Sequence, residues 1–226
     1  MKTVFLDLDG TLTDAGPGIL NSVSYALEKM GCAPFEGDGF WMVGPPLWDS
    51  FRRLGVPEDR LDEAVQHYRD RYADVGWSEN NLYEGILTEL STLKSQDYQL
   101  CIATSKHNTY ARKITKHFGI ADFMDYEFGS ESDGTHADKT SLIRFGMAQS
   151  KAKAEQSIMV GDRHYDIIGA QNNGLRSVGV TYGYGGQQEL EKAGATKIIS
   201  RPTDLANAVR ALRSEEHTSE LQSQFR

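Results

Sequence analysis

The sequence predicts an α/β fold, a Rossmann-like parallel sheet with helices on both faces, together with a small α-helical cap. Three observations predict it. Short apolar runs alternate with stretches of helical periodicity, each polar motif falls directly after one of those runs, and residues 15–82 carry helical patterns but no convincing strand. Alternation of this kind sets a parallel sheet between helices, with ligands bound beyond the carboxyl ends of the strands.

The first element is Val4 to Leu8, a short apolar run interrupted by acid at Asp7, as expected of a strand buried on both faces that ends in a polar loop. The insert follows. Ile19, Val23, Ala26, Leu27 and Met30 mark one amphipathic helix, Leu47 to Leu54 a shorter one, and Glu58 to Tyr72 a third. The chain returns near Leu82-Tyr83-Glu84-Gly85, so the insert is expected to lie over the carboxyl end of the sheet as a lid. Ile86, Leu87, Leu90 and Leu93 then repeat at helical spacing, as do Ala111, Ile114 and Phe118, and Leu142, Ile143, Phe145 and Met147. Gln99 to Ala103, Ser157 to Val160, Ser177 to Val180 and Lys197 to Ile199 read as strands, with a weaker one at Tyr126 to Phe128. The expected division is a catalytic core of residues 1–14 and 83–212 and a cap of residues 15–82. RSEEHTSELQS, from Arg213 to Ser223, reads as one translated frame of a DNA sequencing adapter, so 213–226 is set aside as non-native and the natural end beyond Leu212 is left open.

Composition narrows the partners. A chain of 226 residues with 39% hydrophobic content can bury a full core. Its formal charge is −8 and no block of lysines or arginines appears, which removes any electrostatic reason to expect a nucleic acid polymer or an anionic membrane. Cys32 and Cys101 are far apart and match no metal spacing, and neither a signal peptide nor an apolar run of about 18 residues is present. These features suit a reduced, cytoplasmic protein with Cys101 buried in a strand.

The chemistry gathers in DLDGTLTD, Asp7 to Asp14. Asp7 and Asp9, two apart on a strand, point the same way, and like charges that close raise the cost of ionising both. A positive partner is expected. Ala103-Thr104-Ser105-Lys106 follows the second strand, Asp138-Lys139 opens a helix, and Gly161-Asp162-Arg163-His164-Tyr165-Asp166 follows a later strand. Gly10 suits a close backbone approach.

In that order the four motifs resemble those of the haloacid dehalogenase superfamily, over essentially residues 2 to 210. The resemblance implies that Asp7 is a nucleophile and metal ligand, and that Asp9 is the acid and base, its pKa raised by Asp7. The Asp9 carbonyl, Asp162 and Asp166 complete a Mg²⁺ shell, Asp166 directly or through water. Thr104, the Ser105 amide at a helix start, Lys139, Gly10 and Thr11 would hold the phosphoryl group. In the cap, Gly44, Pro45, Arg52 and Arg69 are candidates for reading the substrate, and Trp41, Trp48 and Phe51 are expected to pack between helices. His107, His117, His136 and His164 share no metal spacing and are expected at the surface, and Asn80 has no assigned role.

The layout looks most like phosphoglycolate phosphatases, implying Mg²⁺-dependent hydrolysis of a small phosphorylated metabolite, with 2-phosphoglycolate preferred and 5′-nucleotidase activity as the alternative. A sugar phosphate mutase of similar layout carries a histidine where this chain has Gly16-Pro17-Gly18-Ile19. A phosphonatase needs a lid lysine, and Lys29 alone lies between Ala15 and Leu82. Neither a phosphonatase nor a dehalogenase needs Asp9. A non-enzymatic phosphate-binding regulator would be expected to have lost a catalytic position, and none is replaced.

Overall fold

The structure, a computed structural model, describes residues 2–131 and 134–212. The stretch from Arg213 onward, expected to be adapter-derived, lies outside the described residues. The chain forms two compact units, one made of residues 1–12 with the chain from Leu82 onward, the other of Thr13–Asn81.

The first unit opens with β1 (Thr3–Leu6), every residue of it buried. Two-residue strands β2 (Thr13–Asp14) and β3 (Asn81–Leu82) pair where the chain leaves and returns, a ribbon that the sequence reading of this stretch lacks because two residues carry no period. There follow α1 (Gly16–Lys29), α2 (Leu47–Arg53) and α3 (Leu61–Asp74) in the second unit. Back in the first come α4 (Ile86–Ser95), β4 (Gln99–His107), α5 (Asn108–His117), β5 (Tyr126–Ser130), α6 (Lys139–Ser150), β6 (Ser157–Gly161), α7 (His164–Asn172), β7 (Arg176–Val180), α8 (Gln187–Ala193) and β8 (Lys197–Ile199). A helix over residues 205–212 ends the described chain.

All six expected strands form one parallel sheet in the order β5-β4-β1-β6-β7-β8. Counting only these six, the order is that of a doubly wound dinucleotide-type sheet, whose chain reverses direction between its first and fourth strands. Here that crevice lies between β1 and β6. Register aligns the strand ends there: Leu6 sits opposite Ile102 of β4 and Val160 of β6. Asp7, Thr104 and Asp162 therefore emerge on neighbouring strands at nearly one level.

Phe5, Cys101 and Met159 from the three central strands pack with Leu142 and Ile143 of α6 and Ala170 of α7. Cys101 is a free thiol, as expected, and burial pushes its pKa up to about 12, so it packs as a small apolar group. Among the described residues no helix is long and apolar enough to cross a membrane.

In the second unit α1 turns Ile19, Val23, Ala26 and Leu27 toward its interior and packs on α3, which buries Leu61, Ala64, Val65, Tyr68 and Tyr72. Phe51 is fully buried, and Arg71 clamps Glu79 through two contacts of 2.7 and 2.9 Å while also donating to Ser22.

Candidate active site

Asp7 follows β1 directly, and its N–H donates to the Val160 carbonyl at 2.9 Å, continuing the sheet by one residue. The positive partner expected for the two acids is present twice. Lys139, the first residue of α6, reaches Asp7 and Asp166, each at 2.7 Å, and donates to the Ala103 carbonyl at 2.8 Å. Asp138 caps that helix by accepting the Ser141 N–H at 3.0 Å, which fixes where Lys139 begins. Of these three oxygens the Ala103 carbonyl is its hydrogen-bond acceptor, and the Asp7 and Asp166 oxygens meet it as ion pairs. Burial alone would depress its pKa, but Asp166 and Asp7 outweigh burial and hold it above the usual value.

Lys106 is the second cation, paired with the Asp9 carboxylate. Burial raises the Asp9 pKa, Lys106 opposes the rise, and Asp7 adds to it. The direction agrees with the expectation from sequence, while its leading cause is burial rather than the neighbouring acid.

Asp162 follows β6, and Asp166 sits in the first turn of α7, where its carboxylate accepts the Arg163 N–H at 3.1 Å. Asp7, Asp162 and Asp166 each bring one oxygen within 4.8 Å of the others. Burial and the other two carboxylates push Asp162 well above the usual range. Burial lifts Asp166 to about 6 against the pull of Lys139. One Asp162 oxygen accepts the Tyr184 N–H at 2.7 Å; the other is buried and has no hydrogen-bond partner. Four carboxylates, Asp9 included, face two ammonium groups, a formal surplus of two negative charges. A hard divalent cation with oxygen ligands fits both the orphaned oxygen and the surplus, and Mg²⁺ is such a cation.

Gly10 has φ of +82°, and a Cβ there would stand 2.3 Å from an Asp162 oxygen, so the close approach expected of it is real. The loop after β7, Tyr182-Gly183-Tyr184-Gly185, closes the site from the other side and was not singled out in the sequence. A Cβ on Gly183 would fall 2.2 Å from the Gly10 carbonyl, and one on Gly185 1.8 Å from the Asp162 carbonyl. Tyr182 donates its hydroxyl to the Thr11 carbonyl at 3.1 Å. The alternation of glycine with tyrosine was the available signal.

Thr104 is buried, and its hydroxyl accepts the Lys106 N–H at 3.3 Å; the Thr11 hydroxyl is buried without a hydrogen-bond partner. Ser105 requires a correction. It is not at a helix start, because β4 runs on to His107, with a register shift against β5 after Ala103, and α5 begins at Asn108 under a cap from the His107 ring. The Ser105 carbonyl is held instead by the Ser130 hydroxyl at 2.9 Å.

The cap candidates all lie in the second unit. Gly44 and Pro45 form the turn before α2, with Gly44 at φ +109°. Arg52 is bound by Asp49 at 2.7 Å and by Glu58 at 2.8 and 2.9 Å, whereas Arg69 lies over the Trp48 ring at 5.2 Å. The Trp48 indole N–H goes to Asp62 at 2.8 Å. Asn80 is buried with neither end of its amide hydrogen-bonded. His164 contacts Glu189 at 2.7 Å.

A doubly wound sheet whose switch point carries paired aspartates, a committed lysine and a three-carboxylate cluster defines an enzyme built to receive a phosphoryl group and a divalent cation together. The family described as Haloacid dehalogenase-like hydrolase matches residues 4–180, and the chain belongs to it. The chain is 40% identical to a 5′-nucleotidase of Pseudomonas aeruginosa, covering 83% of this chain and 86% of that one. It is 37% identical to the tyrosine-protein kinase PtkA of Mycobacterium tuberculosis, covering 89% and 69%. The crystal structure of a predicted phosphatase from Clostridium acetobutylicum superposes with a TM-score of 0.86 at 39% identity, over 93% of this chain and 98% of that one. Further out are a pyrophosphatase PpaX of Halalkalibacterium halodurans, 31% identical over 92% of this chain and 97% of its own, and a phosphoglycolate phosphatase of Psychrobacter arcticus, 25% identical over 88% and 91%. The protein is a phosphatase of the haloacid dehalogenase type, a phosphoric monoester hydrolase.

Proposed function

We propose that this enzyme hydrolyses a small phosphomonoester, 2-phosphoglycolate first among them, through an aspartyl-phosphate on Asp7. The observation that carries this reading is the Asp7–Lys139–Asp166 chain of 2.7 Å contacts beside the orphaned Asp162 oxygen. An Asp7 carboxylate oxygen attacks phosphorus as the bond to the leaving oxygen breaks, and Asp9 gives that oxygen its proton. Asp9 then takes a proton from water, whose oxygen attacks the aspartyl-phosphate and frees Asp7 and inorganic phosphate. Lys139, Thr104, the Ser105 amide, Gly10 and Thr11 hold the phosphoryl oxygens. Asp7, the Asp9 carbonyl, Asp162 and Asp166 would hold Mg²⁺, which when bound offsets the charge gathering on the transferred group. The unit of residues 13–81 would serve as the lid that selects the substrate, with Arg69 and the Gly44-Pro45 turn as its candidate readers. Two free cysteines, one of them buried, support a cytoplasmic setting.

A 5′-nucleotidase is the second reading, favoured by the 40% identity to a relative of that name. A panel of phosphate esters assayed with Mg²⁺ decides: 2-phosphoglycolate, nucleoside monophosphates, sugar phosphates and pyrophosphate. Turnover of phosphoglycolate well above the rest supports the first choice, and turnover led by nucleotides replaces it. Turnover that survives chelation removes the metal from the scheme.

A further inference from the structure

We propose that Lys106 reads negative charge on the leaving group, so that the preferred substrate is a phosphate ester with an anionic group two or three bonds beyond its ester oxygen. The inference rests on the phosphatase reading above and adds to it the class of leaving group.

The two lysines of the site divide three of its four carboxylates between them. Lys139 is committed to Asp7, Asp166 and the Ala103 carbonyl, the side where phosphorus is attacked. Lys106 is paired with Asp9, the side where the leaving group departs. The Asp9 carboxylate offers its two oxygens differently. One is held by Lys106, and the other is buried with no hydrogen-bond partner. The leaving oxygen has to hydrogen-bond to Asp9 in order to be protonated, and the open oxygen is the one available to it.

Reach follows from this. Two hydrogen bonds to one carboxylate bring their outer atoms within roughly 5–7 Å of each other. The carboxylate of phosphoglycolate, or the second phosphoryl group of pyrophosphate, begins two or three bonds past the leaving oxygen and fills that gap. A nucleoside monophosphate places an uncharged ribose there. The Lys106 side chain is only 9% exposed, so water screens it little and it discriminates strongly between an anion and a neutral group. Lys106 is held in place by backbone, because β4 extends past its register shift and carries residue 106 as strand rather than as loop.

The test compares 2-phosphoglycolate with ethyl phosphate, which shares its skeleton but lacks the carboxylate, in wild type, Lys106→Met and Lys106→Arg. In wild type, kcat/KM should favour phosphoglycolate. Lys106→Met should cut that preference roughly 10- to 100-fold, and Lys106→Arg should keep most of it. Equal losses on both esters would mean that Lys106 only positions Asp9, and a wild type without preference for the carboxylate would equally overturn the proposal. Calorimetry of both esters, with Mg²⁺ present, in Asp7→Asn and in Asp7→Asn/Lys106→Met reads the same preference without turnover. A wild type that hydrolyses neither ester therefore refutes the choice of phosphoglycolate while this binding measurement still decides the role of Lys106. Should the methionine variant fail to fold, Lys106→Gln takes its place in both measurements.

Discussion

The two units put pairs of opposite charge to different ends. In the first, Lys139 and Asp166 meet with their side chains 5% and 0% exposed, next to a second acid and under one carbonyl. In the second, Arg52 meets Asp49 and Glu58 with side chains 48%, 62% and 71% exposed. An exposed pair is weak and costs the fold little to keep or lose. A buried cluster with more acid than base destabilises the fold unless something else is bound there, so its survival in the sequence points to a ligand. Burial, rather than charge, separates what can be read as function from what can only be read as surface.

The strongest way to break this comparison is Asp7→Asn, which changes almost no volume. Activity should fall on the order of 10⁴-fold or more while the melting curve stays cooperative. A purified variant with substantial turnover would remove Asp7 as nucleophile. Lys139→Met comes next, because it leaves Asp7 and Asp166 buried without their cation. A loss of about 3 kcal/mol in urea unfolding at pH 8 is expected. The loss should shrink as the pH falls and Asp166 takes up its proton.

That protonation has a sign that can be checked. In the folded, metal-free protein Asp166 holds its proton up to about pH 6, against 3.8 for an ordinary aspartate. The folded state therefore binds the extra proton between those values, and stability from this group falls as the pH rises through that window and stays lowered above it. Mg²⁺ has to displace the proton below about pH 6. Its affinity should weaken there, and the rise in Tm that it gives should be largest above. A Mg²⁺-induced shift in Tm that is flat from pH 5 to 8 would argue that these carboxylates do not hold the ion.

Gly185→Ala sharpens the comparison within the first unit. Its Cβ would meet the Asp162 carbonyl at 1.8 Å, so the loop has to retreat and the Tyr184 N–H leaves the carboxylate it orients. Disturbing a group that orients a ligand costs about 10- to 100-fold in metal affinity. Mn²⁺ titration followed by electron paramagnetic resonance reads this without turnover. Unchanged affinity would reduce the loop to packing.

The sequence displayed the sheet because its central strands carry short apolar runs, and it displayed Asp7, Asp9, Lys139, Asp162 and Asp166 because each follows such a strand or opens a helix. Lys106 and the Tyr182–Gly185 loop were less visible for a physical reason. Their contribution depends on how far β4 runs and on how closely two backbones approach, and both are set by tertiary packing rather than by residue type. The expected helix start at Ser105 failed for the same reason: a Thr-Ser pair signals a cap equally well in an extended segment, and the register shift against β5 chose the strand. In the second unit the helices were legible from their apolar stripes, while the partners of Arg52 were not. Asp49 and Glu58 lie three and six residues away, and only the second distance needs the fold.

The arginines of the second unit give the smallest effects and divide along the same line. Arg69 touches the Trp48 ring but is otherwise solvated, so an incoming anion competes with nothing stronger than a cation–π contact of about 1 kcal/mol. Arg69→Ala should lower kcat/KM for phosphoglycolate roughly tenfold more than for ethyl phosphate if it reads the substrate. Arg52 offers less. Its guanidinium is held on two sides by carboxylates, and an anion binding there would have to displace Glu58 and lie near Asp49. Arg52→Ala should therefore leave both the melting temperature and the ratio of the two esters unchanged, within roughly twofold for the ratio. A tenfold loss confined to phosphoglycolate would show that this surface pair opens to take substrate, and exposure would then no longer separate the two units.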